Sequence, residues 1–322
     1  MTRVINWGIM GTGAISNLFA TDMHYLKNST IRAIGSRSTD GARRFSRKHN
    51  IERAYNSYSA LADDPDIDVI YVATPHSEHR ANVIRCLNAG KHVLCEKPFA
   101  LNFEQAEEMV NVAHEKRLFL MEAMWTMFIP AFLKLKEILG ANTIGDVRKM
   151  EATCGFVADT DRARYFDPML GGGALLDIGI YPVTIAMMLF GAPQDIEVHA
   201  SMHGSGVDDS ISVILKYAYG AVANFYCSIV ENQPNELLIE GSHGSITLQS
   251  PWWHSWGLEL RTERHNEVLR VPIEGHGLQY EAKEVERLLL AGRLESDAVP
   301  HKDTLDNMRL LDRIREEMEN GS

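Results

Sequence analysis

The sequence predicts an α/β chain in which an N-terminal doubly wound parallel sheet precedes an α/β domain with a large, mainly antiparallel open sheet. Three observations predict it. Strand and helix signals alternate through the first 123 residues, and an apolar run near the start ends in Gly11-Thr12-Gly13. From about Val147 the hydrophobic period then falls to two. A length of 322 residues suits about two domains. They are placed at 1–123 and 124–322, with the last helix free to pack back at the junction.

Val4–Met10 is an apolar run closed by glycines and reads as a buried strand. Ile15, Leu18, Phe19, Met23 and Leu26 follow at helical spacing. Thr30–Ser36 is the second strand, and Thr39 or Asp40 suits the cap of the next helix. Ile67–Thr74 is a third buried run, with a helix over 77–89 that stops at Gly90. Lys91–Glu96 is the strand that delivers Lys97. Asn102-Phe103-Glu104-Gln105 has capping-box spacing, with Phe103, Ala106, Val110 and Ala113 as the stripe behind it. Leu118–Met124 completes the parallel set. Beyond Val147, alternation recurs in Met150, Ala152, Cys154 and Phe156 and in Ile211, Val213, Leu215 and Tyr217. It recurs again in Ala221, Ala223, Phe225 and Cys227, with Gly220 at the turn. A helix over 174–190 covers part of that sheet, and helices over 278–290 and 304–319 close the chain.

A composition of 45% hydrophobic and 23% charged residues is that of an ordinary globular protein, and the net charge of −11 argues against nucleic acid as the main partner. Cys86, Cys95, Cys154 and Cys227 are dispersed, which suits free thiols in a reducing compartment. No window is expected to approach a membrane span and no secretory leader is evident, so a cytoplasmic location with no membrane partner is expected.

Gly11-Thr12-Gly13-Ala14-Ile15-Ser16 gives G-x-G-x-x-S between a strand and a helix. Such a turn brings a pyrophosphate onto backbone N–H groups at a helix start. Ser16 replaces the usual third Gly or Ala and is also small. At the end of the second strand, where an NAD site places Asp or Glu on the ribose hydroxyls, the chain has Ser36-Arg37-Ser38. A hydroxyl and a guanidinium favour a 2′-phosphate, hence NADP over NAD.

In Leu94-Cys95-Glu96-Lys97-Pro98 the lysine stands at the carboxyl edge of the sheet, and the proline admits a cis peptide. Gly171–Tyr181 is the second informative block. On a regular helix Asp177 and Tyr181, four apart, share a face, and a neighbouring ammonium favours the phenolate. By spacing alone a capping aspartate and a core tyrosine are the better reading of the pair. The glycines at 171–173 tip the balance, since they permit close approach of backbone and ligand.

Gly11-Thr12-Gly13, Glu96-Lys97-Pro98 and Gly171–Tyr181 together resemble the Gfo/Idh/MocA oxidoreductase family over essentially the whole chain. Leu120–Thr126, Tyr181 and Gly206–Asp209 are most similar to its branch of dimeric dihydrodiol dehydrogenases and NADP-dependent D-xylose dehydrogenases. The resemblance implies a Rossmann domain and a homodimer through the C-terminal sheet. It also implies an active site drawn from both domains. Lys97 and Asp177 are then active-site residues, and Tyr181 is the acid/base where many members carry histidine. Thr74, Pro75, His76 and His79 are expected beside the nicotinamide, with Glu96 and Lys97 among the cofactor contacts and Trp125, Phe156 and Arg164 around the substrate.

His76 and His79 form an H-x-x-H pair with no evident third ligand, so no metal is expected. Trp252-Trp253-His254-Ser255-Trp256 reads as a structural cluster. The expected activity is hydride transfer between NADP and a hydroxyl-bearing carbon of a small-molecule polyol, sugar or diol. The rivals are a non-catalytic sensor of NAD(P) or sugar on the same fold and an oxidoreductase that retains its cofactor.

Overall fold

A computed structural model describes residues 3–159 and 163–320. Its first elements are β1 (Ile5–Met10), α1 (Ala14–Asp22), β2 (Ser29–Gly35), α2 (Thr39–His49), β3 (Arg53–Tyr55), α3 (Tyr58–Ala62), β4 (Val69–Val72), α4 (His79–Asn88), β5 (His92–Glu96), α5 (Phe103–Lys116) and β6 (Leu120–Ala123). Then come α6 (Pro130–Gly140), β7 (Val147–Gly155), α7 (Ala163–Phe166), α8 (Ile180–Phe190), β8 (Asp195–Met202), β9 (Asp208–Lys216), β10 (Val222–Ser228), β11 (Leu237–Gly241), β12 (Gly244–Leu248), β13 (Gly257–Thr262) and β14 (Asn266–Arg270). Helices α9 (Leu278–Leu290) and α10 (His301–Asn320) end the chain.

Strands β1 to β6 form a parallel sheet in the order β3-β2-β1-β4-β5-β6. This is the doubly wound order, and its switch point lies between β1 and β4, where ligands bind at the carboxyl ends. β4 and β6 are buried throughout and β1 and β5 nearly so, which is why their sequences run apolar without alternation.

Caps explain the helix starts. Ser38, with extended backbone, accepts from Gly41 N at 3.2 Å and caps α2, in place of the expected Thr39 or Asp40, which fall within the helix. Asn102 accepts from Gln105 N at 2.9 Å, while the Gln105 side chain accepts from Leu101 N at 3.3 Å. The capping box therefore closes on the residue before the cap.

The chain divides into two compact units, Met1–Trp125 with Glu274–Leu305 and Thr126–Ile273 with Asp306–Ser322. The expected division at 123/124 is corrected by α9, which groups with the first unit. Asp22, at the end of α1, supplies the reason. Its carboxylate accepts from His276 N at 3.0 Å and Leu278 N at 3.1 Å, so it caps a helix that begins 256 residues later.

The second unit holds an eight-stranded sheet in the order β14-β13-β12-β11-β7-β10-β9-β8, antiparallel except for β7 with β10. One face carries a continuous buried row, Leu260, Ile246, Ile239, Met150, Ala223, Leu215 and Ile196. The other face carries Val268, Glu259, Thr247, Leu238, Glu151, Asn224, Ile214 and Glu197, a mixed row open to solvent to varying degrees. Period-two alternation is the sequence record of these two faces.

Pro168–Phe190 corrects the expectation that no window approaches a membrane span. It is long and apolar enough by composition, with mean hydropathy 1.7, but most of it is buried within the protein. It behaves as a core helix of the second unit.

Candidate active site

In the first unit, the chain leaves β1 through Gly11, whose φ of +110° suits glycine. A Cβ there would also stand 2.5 Å from the Ala73 carbonyl at the end of β4. Gly13 precedes α1 with open space around its Cβ position, and no side chain caps that helix. Gly13 and Ala14 are exposed, while Thr12 and Ile15 are half-buried. The N–H groups of the first turn thus face an approachable opening. Ser16 Oγ is buried there without a hydrogen-bond partner. An uncapped helix start, a glycine with room beside it and an orphaned hydroxyl fit a dinucleotide pyrophosphate.

At the end of β2, Ser36 is buried and accepts from Ser38 N at 3.2 Å. Arg37 is exposed, and its guanidinium lies beside the Tyr58 hydroxyl. Burial raises the Tyr58 pKa and Arg37 pulls it back. The guanidinium read from the sequence as a 2′-phosphate partner is therefore exposed on the loop that follows β2.

After β4, Thr74 is held on both its polar groups. Asn82 donates to its hydroxyl at 3.2 Å, and its carbonyl lies 3.0 Å from His79 Nε2. His79 is fully buried, and its Nδ1 lies 2.9 Å from the Pro98 carbonyl. Burial lowers its pKa. The ring is therefore a brace between the β4 and β5 loops, a different task from the expected nicotinamide contact. Pro75 is half-buried and His76 is nearly buried, with its ring centroid 5.7 Å from that of His79.

The segment 96–99 is gripped on every side by buried polar groups of the same unit. The Lys97–Pro98 peptide is cis. Glu96 accepts a short bond from Tyr71 OH and accepts from Lys97 N at 3.1 Å. Glu122 accepts from Phe99 N at 3.1 Å and from Thr304 Oγ1 at 3.0 Å. Burial pushes the Glu122 pKa up to about 7, against the pull of those two donors. Glu281 of α9 is fully buried, with neither carboxyl oxygen hydrogen-bonded. Burial, then Glu96 and Glu122, raise its pKa well above the ordinary carboxylate range. Lys97 itself is half-buried at the end of this scaffold. Tyr71, Glu122, Glu281 and Thr304 escaped the sequence reading, because only the fold brings β4, β6, α9 and α10 together around Lys97. Trp125, half-buried, ends this unit.

In the second unit, residues 175–179 form a π-helical turn that runs into α8. Pro182 lacks the N–H that would bond the Ile178 carbonyl, and its ring crowds that carbonyl, so the helix widens just ahead of it. Asp177 therefore sits on the widened turn and Tyr181 on the regular helix, correcting the expected common α-helical face. Both are buried. Asp177 Oδ1 lies 3.8 Å from the guanidinium of exposed Arg164, whose Nη2 donates to Tyr165 OH at 2.6 Å. Phe156, half-buried, meets the Tyr165 ring edge-on at 5.4 Å. The Tyr181 ring stacks on Trp253 at 5.8 Å and 11° and meets Trp252 edge-on at 6.3 Å. The tryptophan cluster read as structural thus packs directly on the candidate acid/base.

The glycine run serves packing. Gly173, at φ +113°, has no room for a Cβ, which would fall on the Asp208 carboxylate. A Cβ on Gly172 would stand 2.6 Å from the Tyr165 carbonyl. Asp208 in turn accepts from Leu175 N at 2.6 Å and anchors the start of the helix that carries Asp177 and Tyr181. Burial raises its pKa to about 6. The close approach expected of a ligand is made here by Asp208 and the Tyr165 backbone.

Two family models match this chain. One, described as an oxidoreductase family with an NAD-binding Rossmann fold, covers residues 5–124, and the Gfo/Idh/MocA C-terminal domain covers residues 132–247. The chain belongs to the Gfo/Idh/MocA oxidoreductase family. It is 39% identical to trans-1,2-dihydrobenzene-1,2-diol dehydrogenase of Macaca fuscata fuscata, over 97% of this chain and 96% of that one. A 3-ketoreductase from Actinomadura kijaniata, crystallised with NADP and TDP-benzene, superposes with a TM-score of 0.86 at 26% identity over 98% of both chains. Aldose-aldose oxidoreductase from Caulobacter crescentus shares the fold, with a TM-score of 0.89 at 24% identity over 99% of both chains. The chain is an NAD(P)-dependent oxidoreductase by these relationships.

Proposed function

We propose that this oxidoreductase prefers NADP and moves a hydride between the nicotinamide and a hydroxyl-bearing carbon of a vicinal diol or an aldose. When bound, the nicotinamide supplies the hydride acceptor or donor. The protein's part is to hold the cofactor and move the proton. Gly11, Thr12, Gly13, Ala14 and Ile15 receive the pyrophosphate, while Ser36 and Arg37 receive the 2′-phosphate. Thr74, Pro75, His76 and Glu96 complete the cofactor contacts, with His79 and Glu96 also fixing the loop from which Lys97 projects. Tyr181 Oη passes the substrate hydroxyl proton, and the Lys97 ammonium favours its phenolate form. Asp177 and Arg164 orient the substrate hydroxyls, with Phe156 and Trp125 against its carbon skeleton.

One observation carries the reading beyond family membership. Crystallised variants of the Actinomadura ketoreductase replace a lysine and a tyrosine separated by the same number of residues as Lys97 and Tyr181. The named diol dehydrogenase relative supports a diol, and the Ser36-Arg37 pair supports NADP. The mixed outer row of the eight-stranded sheet supports a homodimer across that face. The four buried, unpaired cysteines suit a reducing cytoplasm.

The test follows nicotinamide absorbance with trans-dihydrodiols and with aldoses, under NADP⁺ and NAD⁺ in parallel. Turnover with at least one class, with the higher kcat/KM under NADP⁺, is expected. A higher kcat/KM under NAD⁺ would overturn the cofactor assignment. Cofactor binding with no turnover on either class would overturn the substrate assignment.

A further inference from the structure

Within the first unit, three ligand-bearing side chains from separate stretches of chain converge away from the glycine turn. His114 lies near the end of α5, Glu295 follows α9, and His301 opens α10. Their ligating atoms lie within 4.8 Å of one another. His114 Nε2 is 3.1 Å from His301 Nδ1, and a Glu295 carboxylate oxygen is 3.7 Å from the same Nδ1.

The tautomer of His301 decides what this cluster offers. Its Nε2 lies 2.8 Å from the Leu120 carbonyl, which only accepts. Nε2 therefore carries the proton, and Nδ1 turns its lone pair toward His114 and Glu295. A histidine held by a backbone carbonyl on one nitrogen, with the other facing further donors, is a metal ligand already oriented. Nitrogen and oxygen ligands around tetrahedral zinc, with bonds of about 2.0–2.2 Å, stand about 3.3 Å apart. Two of the three spacings, 3.1 and 3.7 Å, bracket that value, and the third lies within 4.8 Å.

We propose that His114, Glu295 and His301 form a binding site for one zinc-class divalent ion, with water in the fourth position. Glu295 Oε1 also accepts from His301 N at 2.5 Å, and a carboxylate has lone pairs enough for both tasks. Two imidazoles with one carboxylate suit Zn²⁺, Co²⁺ or Ni²⁺; Mg²⁺ and Ca²⁺ prefer shells of oxygen. In the metal-free protein, a hydrogen bond from His114 Nε2 to His301 Nδ1 occupies the same place. The ion's role is a clip. It ties α5 to the first residue of α10, across 187 residues of sequence. One turn further along α10, Thr304 holds Glu122.

The experiment uses the full chain, stripped with chelator and titrated with ZnCl₂ by calorimetry. CoCl₂ reports geometry through its visible absorption, and MgCl₂ serves as the control. His114 and Glu295 are not buried, so His114→Gln and Glu295→Gln are expected to keep the metal-free Tm. The expected result is one equivalent of Zn²⁺ with a tetrahedral Co²⁺ spectrum, no uptake of Mg²⁺ and a Zn²⁺-dependent rise in Tm. Each substitution then weakens the ion by about tenfold or more. Absence of stoichiometric binding overturns the site, as does binding whose affinity and Co²⁺ spectrum survive both substitutions.

Discussion

Removing one oxygen from Tyr181 tests the chemistry while the packing stays constant. In Tyr181→Phe the ring still stacks on Trp253, so Tm is expected to hold while kcat falls by about 10²–10⁴-fold. Lys97→Ala is expected to cost a comparable factor with NADP affinity kept. The proposal that both residues serve the same proton transfer predicts that the double variant loses far less than the product. Steady-state kinetics of the four proteins checks this, and full additivity would separate the roles.

Glu122 makes a pH prediction. Its folded pKa of about 7 lies above the ordinary 4.5, so the folded state holds the extra proton. The stability this supplies is complete below about 4.5 and lost as pH rises through about 7, on the order of 3 kcal/mol. Glu122→Gln should flatten that limb in urea denaturation followed from pH 4.5 to 8, and an unchanged slope would refute the assignment. Lys97, Tyr181 and the glycine turn were legible because each sits in a short motif. Glu122 was not, because its partner Thr304 lies 182 residues away.

Among the elements, the widened turn ahead of α8 has the most to lose from a small change. Gly173→Ala combines a positive φ with a methyl group driven onto Asp208, the residue that anchors Leu175. A loss of about 2–4 kcal/mol is expected, with a fall in kcat as Asp177 shifts. Gly204→Ala, with open space at its Cβ, should stay within about 0.5 kcal/mol. Equal denaturation midpoints for the two variants would remove the packing role. The strands β1, β2, β4 to β7, β9 and β10 were legible from period, and the parallel sheet from the alternation of strand and helix, whereas β3, β8 and β11 to β14 were not placed from the sequence. The π-helical turn was not, since Asp177 and Tyr181 keep helical spacing whichever helix carries them. Nor was the role of Gly172 and Gly173, because a glycine records only that space is short and leaves unsaid what fills it.

For the whole molecule, the outer row of the eight-stranded sheet is the surface on which the proposed homodimer depends. Leu238 sits near the middle of that row, flanked in register by Thr247 and Glu151. Leu238→Arg is expected to yield a folded monomer by light scattering where the parent protein is a dimer. A monomeric parent, or a dimeric variant, would rule the face out. Composition and period predicted both sheets, whereas the return of α9 to the first unit was hidden in a single carboxylate, Asp22.

That return governs the order in which the molecule can assemble. During synthesis, residues 1–125 emerge with the glycine turn and Lys97 in hand. Yet Asp22 has no helix to cap, and Glu122 has no Thr304, until the chain has passed residue 304. The intervening residues 126–273 belong to another unit, which has all its strands before then. The unit begun first therefore waits for its closing segment, Glu274–Leu305, until every strand of the second has been made, so a nascent first unit lacks its α9 cap throughout that interval.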